Sequence, residues 1–186
     1  MHHVSNDKRA RQSAELICDG LERCLREKEY RKIHVRDICE RSYVSRATFY
    51  RLFDAIDDVL SYRCDRIFQE LADELSQRRF ATNRDLLLVF IERWLGHGTL
   101  VSTLVENNLT GIIYDTHMRN GELMKRIFAD ASTMTDAESD YLVSILTNIL
   151  PAVMNTWHLH GQTESPEEIY AHAGASIAVI ADALNR

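Results

Sequence analysis

The sequence predicts an all-α fold: three N-terminal helices over residues 1–58, then a larger helical domain over 59–186. Three observations predict it. Two prolines and seven glycines in 186 residues leave few turn signals. Apolar residues return at three- and four-residue steps along nearly the whole chain, which is the helical period. No segment shows the sustained two-residue alternation of a half-buried strand. With 45% apolar and 27% charged residues, the composition is that of an ordinary globular protein. That excludes disorder, collagen-like repeats and a small disulfide scaffold.

The elements follow in order. Lys8 to Lys28 places Ala10, Ala14, Ile17, Leu21 and Leu25 on one helical face. Tyr30 and Ile33 lie in its exit segment. Val35 to Arg41 is a short helix with Val35, Ile38 and Cys39 inward. Tyr43, Val44 and Ser45 connect it to the next, and Ser45 is a good N-cap because its hydroxyl can accept from a free backbone N–H. Arg46 to Phe53 follows, with Ala47, Phe49 and Phe53 expected inward. Asp54 to Asp58 opens a long helix from Ile56 to Arg78, its acids placed where the helix dipole favours them. Asn83 to Arg93 is a further helix, Leu100 to Arg119 one or two more, and Gly121 to Asp130 a short one. Asp136 to His160 is long, with Pro151 inside it expected to kink it. Gly161 to Ser165 is a turn, and Pro166 suits the first position of the last helix.

Several function classes drop out. The longest apolar run, Leu86 to Ile91, is far short of the ~20 residues of a membrane span, so no membrane association is expected. The N-terminal residues carry no apolar stretch of a secretory signal, so a cytoplasmic location is expected. Cys18, Cys24, Cys39 and Cys64 form no C-x-x-C pair and read as small buried residues. No P-loop, G-x-G-x-x-G, G-x-S-x-G or H-E-x-x-H motif occurs, so no enzyme is expected and no cofactor. His158 and His160 are the nearest approach to a metal pair. Residues two apart point different ways on a helix, so no metal is expected either.

Charge is uneven. The net charge is −6, yet residues 8–51 hold 12 Lys and Arg against 7 Asp and Glu. A basic segment in an acidic chain suggests an anionic partner at that end. Two short helices joined by a tight turn and braced by a longer one form a helix-turn-helix. Its second helix must be short and polar outside to enter a DNA major groove. Ser45, Arg46, Thr48, Tyr50 and Arg51 supply hydroxyls and guanidiniums there, suited to phosphate oxygens and guanine edges.

The string Val35-Arg36-Asp37-Ile38-Cys39-Glu40-Arg41, then Val44-Ser45-Arg46-Ala47-Thr48-Phe49-Tyr50-Arg51-Leu52-Phe53, resembles the signature of the tetracycline-repressor (TetR) family. Asp57-Asp58-Val59-Leu60 continues it. The close match covers about residues 10–60; the remainder agrees in its helical layout and in a Trp157-x-x-x-Gly161 turn before the last helix. The resemblance implies a ligand-responsive transcriptional regulator, a repressor, that binds a palindromic double-stranded DNA operator as a homodimer. It implies Arg46, Ala47 and Arg51 as base-facing residues, Thr48 and Tyr50 as phosphate contacts, and Ser45 as the cap.

The sequence departs from the family pattern at four places. Glu29 and Tyr43 stand where the family usually has glycine, positions that tend toward a left-handed backbone. His34 replaces the usual threonine and, if protonated, can contact phosphate. Ile56 replaces the usual phosphate-binding lysine. These departures motivate an alternative: a TetR-fold interaction protein without operator binding that acts through a protein partner.

In the C-terminal domain, Leu146, Ile149, Val153, Ala173, Ile177, Ile180 and Leu184 are candidates for a homodimer interface. The last helix mixes isoleucines with Ala171, Gly174, Ala175, Ser176, Ala178 and Ala181, and small residues let helix axes approach closely. The resemblance implies an effector pocket for a small molecule. Phe90, Trp94, Tyr114, His117, Phe128 and Trp157 are the candidate walls, and their aromatic content favours an apolar or aromatic ligand.

Overall fold

A computed structural model describes residues 2–5, 7–78, 80, 82–128 and 134–184. Those residues are helical with no strand. The head consists of α1 (Lys8–Leu25), α2 (Val35–Ser42) and α3 (Arg46–Leu52), with a one-turn 3₁₀ helix, Tyr30–Lys32, between α1 and α2. The long α4 (Ile56–Gln77) leaves the head and enters the body. The body adds α5 (Asn83–Leu95), α6 (Gly98–Glu106), α7 (Gly111–Arg119), α8 (Gly121–Phe128), α9 (Asp136–Leu159) and α10 (Pro166–Leu184). The expected extension of α8 to Asp130 lies outside the described residues. Leu100 to Arg119 forms two helices, divided at Asn107–Thr110, where Asn108 takes a positive φ of 59°.

Local chemistry sets the helix ends. The Asp7 carboxylate accepts from Ala10 N–H at 3.2 Å and opens α1. α1 ends at Leu25, earlier than the expected Lys28. Both Glu27 N–H and Lys28 N–H turn back to the Cys24 carbonyl, at 3.1 and 2.9 Å, closing the helix. Thr82 with Asp85 and Thr135 with Glu138 form capping boxes on α5 and α9, each satisfying two free N–H groups. α9 runs on through Pro151, which has no N–H to donate to the Thr147 carbonyl one turn back.

One apolar core runs through both parts. In the head it holds Ile17, Leu21, Ile38, Phe49, Leu52 and Phe53; along α4 it continues through Val59, Leu60, Ile67, Phe68 and Leu71. Trp94, Leu104, Ile113 and Met124 centre it in the body. All four cysteines are buried free thiols, and burial pushes those of Cys18 and Cys64 well above their ordinary pKa. α1 packs on α2, α3 and the start of α4, while α4 also packs on α5, α7 and α8. α10 rests on α5 and α9. No helix among the described residues is long and apolar enough to cross a membrane.

Candidate nucleic-acid interface

The outward face of α3 is built from its cap upward. Ser45 Oγ accepts from Thr48 N–H at 3.1 Å and donates to Thr48 Oγ1 at 3.0 Å. That closes the first turn and holds Thr48, half-buried, against it. Phe49, Leu52 and Phe53 anchor the inner face in the core. Ser45, Arg46, Ala47, Tyr50 and Arg51 remain exposed. Ala47, which helical spacing alone sets inward, is exposed.

Several arginines elsewhere in the head are engaged. Arg41 pairs with Glu27, Arg26 with Glu22 at 2.9 Å, and Arg36 with Glu40 at 3.7 Å. Arg23 donates to the Arg41 carbonyl at 2.9 Å. Arg46 and Arg51, by contrast, have no hydrogen bond or ion pair among the described residues, so their donors point to solvent. Arg9 of α1 shares a shallow hollow with Arg51, together with His3, Ser5 and Asp7. Sequence reasoning passed over Arg9; its signal was the basic cluster at the start of α1. The chain before α1 is tied to this corner, since His3 N–H donates to the Leu52 carbonyl at 2.8 Å and its imidazole meets Asp54 at 3.0 Å.

The turn between α2 and α3 is where a glycine was expected. Tyr43 is left-handed, φ 57° and ψ 25°, with its side chain 93% exposed. Glu29 is not left-handed: its φ is −59° and its ψ 140°. An extended backbone leads straight into the 3₁₀ turn there, so glycine is not needed.

His34 is the exposed N-cap residue of α2. Its N–H donates to the Asp37 carboxylate at 2.9 Å, and Lys28 approaches that carboxylate at 3.1 Å. The His34 N–H and then Lys28 hold the Asp37 pKa down to about 2. Ile56 begins α4, half-buried. Asp58 caps that start by accepting from Asp54 and Ala55 N–H at 3.0 and 3.1 Å.

One residue that sequence reasoning missed sets the height of the whole platform. A Cβ on Gly20 would sit 2.9 Å from the Ile38 carbonyl oxygen and 2.9 Å from Ser42 Cβ. α1 and α2 therefore touch backbone to backbone, which only glycine permits. A glycine in mid-helix was the available signal.

The candidate body residues divide. Phe90 and Phe128 wall a cavity of about 250 Å³ between α5, α8, α9 and α10. Trp94 and His117 lie deeper and are fully buried. Trp157 is buried between α9 and the turn before α10, donating to the Glu164 carbonyl at 3.3 Å. Tyr114 is half-buried on α7 and lines neither space. Of the candidate dimer residues, Leu146, Ile149, Val153, Ala173 and Ile177 also line the cavity. Ile180 and Leu184 face outward, 61% and 82% exposed, next to Val179 at 71%. His158 faces Glu106 at 3.7 Å and His160 pairs with Glu164, so the two imidazoles diverge. No cluster of three metal-ligating side chains occurs among the described residues.

No family model matches the sequence, and no curated protein matches it. Solved structures do match. Lin0861 from Listeria innocua superposes with a TM-score of 0.69 at 18% identity, over 94% of each chain. A TetR transcriptional regulator from Streptococcus agalactiae gives 0.55 at 19%, over 88% of this chain and 92% of that one. A transcriptional regulator of the TetR/AcrR family from Aquifex aeolicus gives 0.53 at 16%, over 90% and 99%. The chain has the TetR-regulator fold. Within that fold α1 to α3 are the helix-turn-helix head, and the Ser45–Arg51 face is the outer surface of its second helix.

Proposed function

We propose that this chain is a ligand-responsive transcriptional repressor of the TetR type, binding a palindromic operator as a homodimer. The carrying observation is the unpaired Arg46 and Arg51 beside Tyr50, on the outer face of a helix fixed by the Ser45 cap. Free guanidiniums are the groups that read guanine O6 and N7 bidentately. Thr48 and Tyr50 hydroxyls, with Arg9 nearby, suit phosphate oxygens, which position the head on the duplex. The similarity in fold to the Streptococcus agalactiae and Aquifex aeolicus regulators supports this reading.

The homodimer rests on the exposed apolar side chains of α10, Ile177, Val179, Ile180 and Leu184, with Leu159 at the end of α9. Ile177, Ile180 and Leu184 share one side of α10, and an exposed apolar row of this kind marks an interaction site. A two-fold pairing through it sets two heads side by side, which accounts for a palindromic operator. The cavity beside Phe90 serves the effector. A ligand there shifts the head spacing only if it binds one spacing better than the other.

The test is fluorescence anisotropy with DNA from upstream of the coding region and a scrambled duplex, at several salt concentrations. Preferential binding that weakens with log salt is expected. Arg51→Ala should weaken operator binding by about 1–3 kcal/mol and relax preference at one base. Equal losses on operator and scrambled DNA would overturn the base-reading role of Arg51.

A further inference from the structure

The interior of the body contains polar atoms with nothing to bond. His117 is fully buried, and neither its Nδ1 nor its Nε2 has a hydrogen-bond partner among the described residues. Trp94 is equally buried, and its Nε1–H also has none. The two rings meet edge to face with centroids 5.7 Å apart. Buried polar groups are nearly always paired, so three unpaired atoms in one place indicate a missing partner. The surroundings supply none: the His117 ring otherwise lies against Phe68 at 5.3 Å and Phe90 at 5.7 Å.

Phe90 connects this point to the cavity. Its other side meets Phe128 at 5.5 Å, ring edge to face, and both rings wall the 250 Å³ space. The remaining wall is almost wholly apolar, with Met124, Leu150 and Tyr170 among its residues, and no charged side chain lines it. The volume lies just below the roughly 300 Å³ at which ligand cavities usually start.

We propose that His117 and Trp94 are the polar end of the effector site, reached when the Phe90 ring turns aside, and that the site takes an uncharged aromatic alcohol. This rests on the effector reading above. The chemistry selects the hydroxyl. Burial pulls the His117 pKa down to about 4, so its imidazole is neutral at pH 7. A neutral imidazole offers one N–H and one bare nitrogen, and an indole offers one N–H. A hydroxyl can accept from an N–H as a ketone can, but only the hydroxyl also donates, so only it satisfies the bare imidazole nitrogen. A carboxylate or an ammonium finds no opposite charge in this space, and burying an unpaired charge is prohibitive. The aromatic body matches the edge-to-face rings of Phe90 and Phe128.

The experiment is calorimetric titration of the full chain without DNA, using naphthalene, 2-naphthol and 2-naphthoate as probes. 2-Naphthol should bind roughly ten- to hundredfold more tightly than naphthalene, the range one or two satisfied buried hydrogen bonds produce. 2-Naphthoate should bind most weakly. In His117→Phe the preference for 2-naphthol should collapse while naphthalene binding is retained. Trp94→Phe should reduce the same preference and serves as the second variant should His117→Phe fail to fold. Equal binding of naphthol and naphthalene, tightest binding of naphthoate, no binding of any probe, or a preference that survives both substitutions would overturn the proposal. Adding 2-naphthol to the protein–DNA complex separates the two readings. His117-dependent binding that leaves DNA affinity unchanged upholds this site and removes the ligand response from the function proposed above.

Discussion

The head and the body treat their polar groups in opposite ways. In the head, Ser45 closes on Thr48, Asp37 takes the His34 N–H and Lys28, and Asp58 takes two backbone N–H groups. What stays open is one outward face of α3. In the body, the openings are inside and along one flank: unpaired His117 and Trp94 at the core, and bare isoleucines on α10. A platform that presents a fixed surface is stiffest when its own groups satisfy one another. On the function proposed above, the body is left incomplete until a ligand and a second copy fill it. The contrast teaches where the polar capacity of each part lies: in the head on the surface of a closed scaffold, in the body in unfilled interior valences.

The contrast is sharpest under acid. His117 is neutral and buried when folded, with a pKa of about 4 against an ordinary 6.5. The unfolded chain therefore binds the extra proton first. Stability from this group is complete above about pH 6.5 and is lost as pH falls toward 4, by roughly 3 kcal/mol in all. Asp37 acts in a separate window, because its stabilisation is complete above its ordinary 3.8 and is lost toward about 2. Chemical denaturation at several pH values should show the body weakening first, and His117→Phe should flatten the slope between pH 6.5 and 4 while leaving the more acidic step. An unchanged slope in that variant would show that His117 does not titrate as its burial requires.

Breaking the head calls for steric rather than ionic means. Gly20→Ala forces α1 and α2 apart at a backbone contact, and should lower stability by about 1–3 kcal/mol, the range for overpacking. Thermal melting of the variant measures it, and DNA affinity should fall with it as α3 loses its support. An unchanged melting temperature would mean that the helices separate without penalty.

The smallest effect belongs to the turn. Tyr43 holds a left-handed backbone that costs an L-residue about 1–2 kcal/mol. Glycine relieves that strain but loses more freedom on folding. Tyr43→Gly should therefore gain about 0.5–1 kcal/mol in denaturant unfolding. A loss instead would reveal a stabilising role for the exposed ring.

Much of this was readable beforehand. Most helices start at the expected residue, but α6 begins at Gly98, two residues before the expected Leu100, and α3 ends one residue before the expected Phe53. The left-handed turn was legible at Tyr43 and wrongly extended to Glu29, because a positional habit of glycine does not dictate φ when the next residues can form a 3₁₀ turn. The outward chemistry of α3 was legible, except that Ala47 is too small for apolar spacing alone to assign it a side. The body was less legible. Phe90, Trp94, His117 and Trp157 are equally aromatic in sequence, yet Phe90 walls a cavity, Trp94 and His117 lie buried behind it, and Trp157 closes a different corner.

The sequence by itself determined what depends on neighbours three or four residues away: helical period, capping, and the hydroxyls and guanidiniums carried by one short helix. Those interactions are local, so their partners can be named from spacing. Tertiary structure alone decided that Gly20 is a point of backbone contact, that His117 is buried with no hydrogen-bond partner among the described residues, and that Ile180 and Leu184 lie bare while Ile149 and Val153 line a cavity. Each of those properties is set by chain segments distant in sequence, and whether a group is enclosed or left unpaired is fixed only when those segments are packed around it.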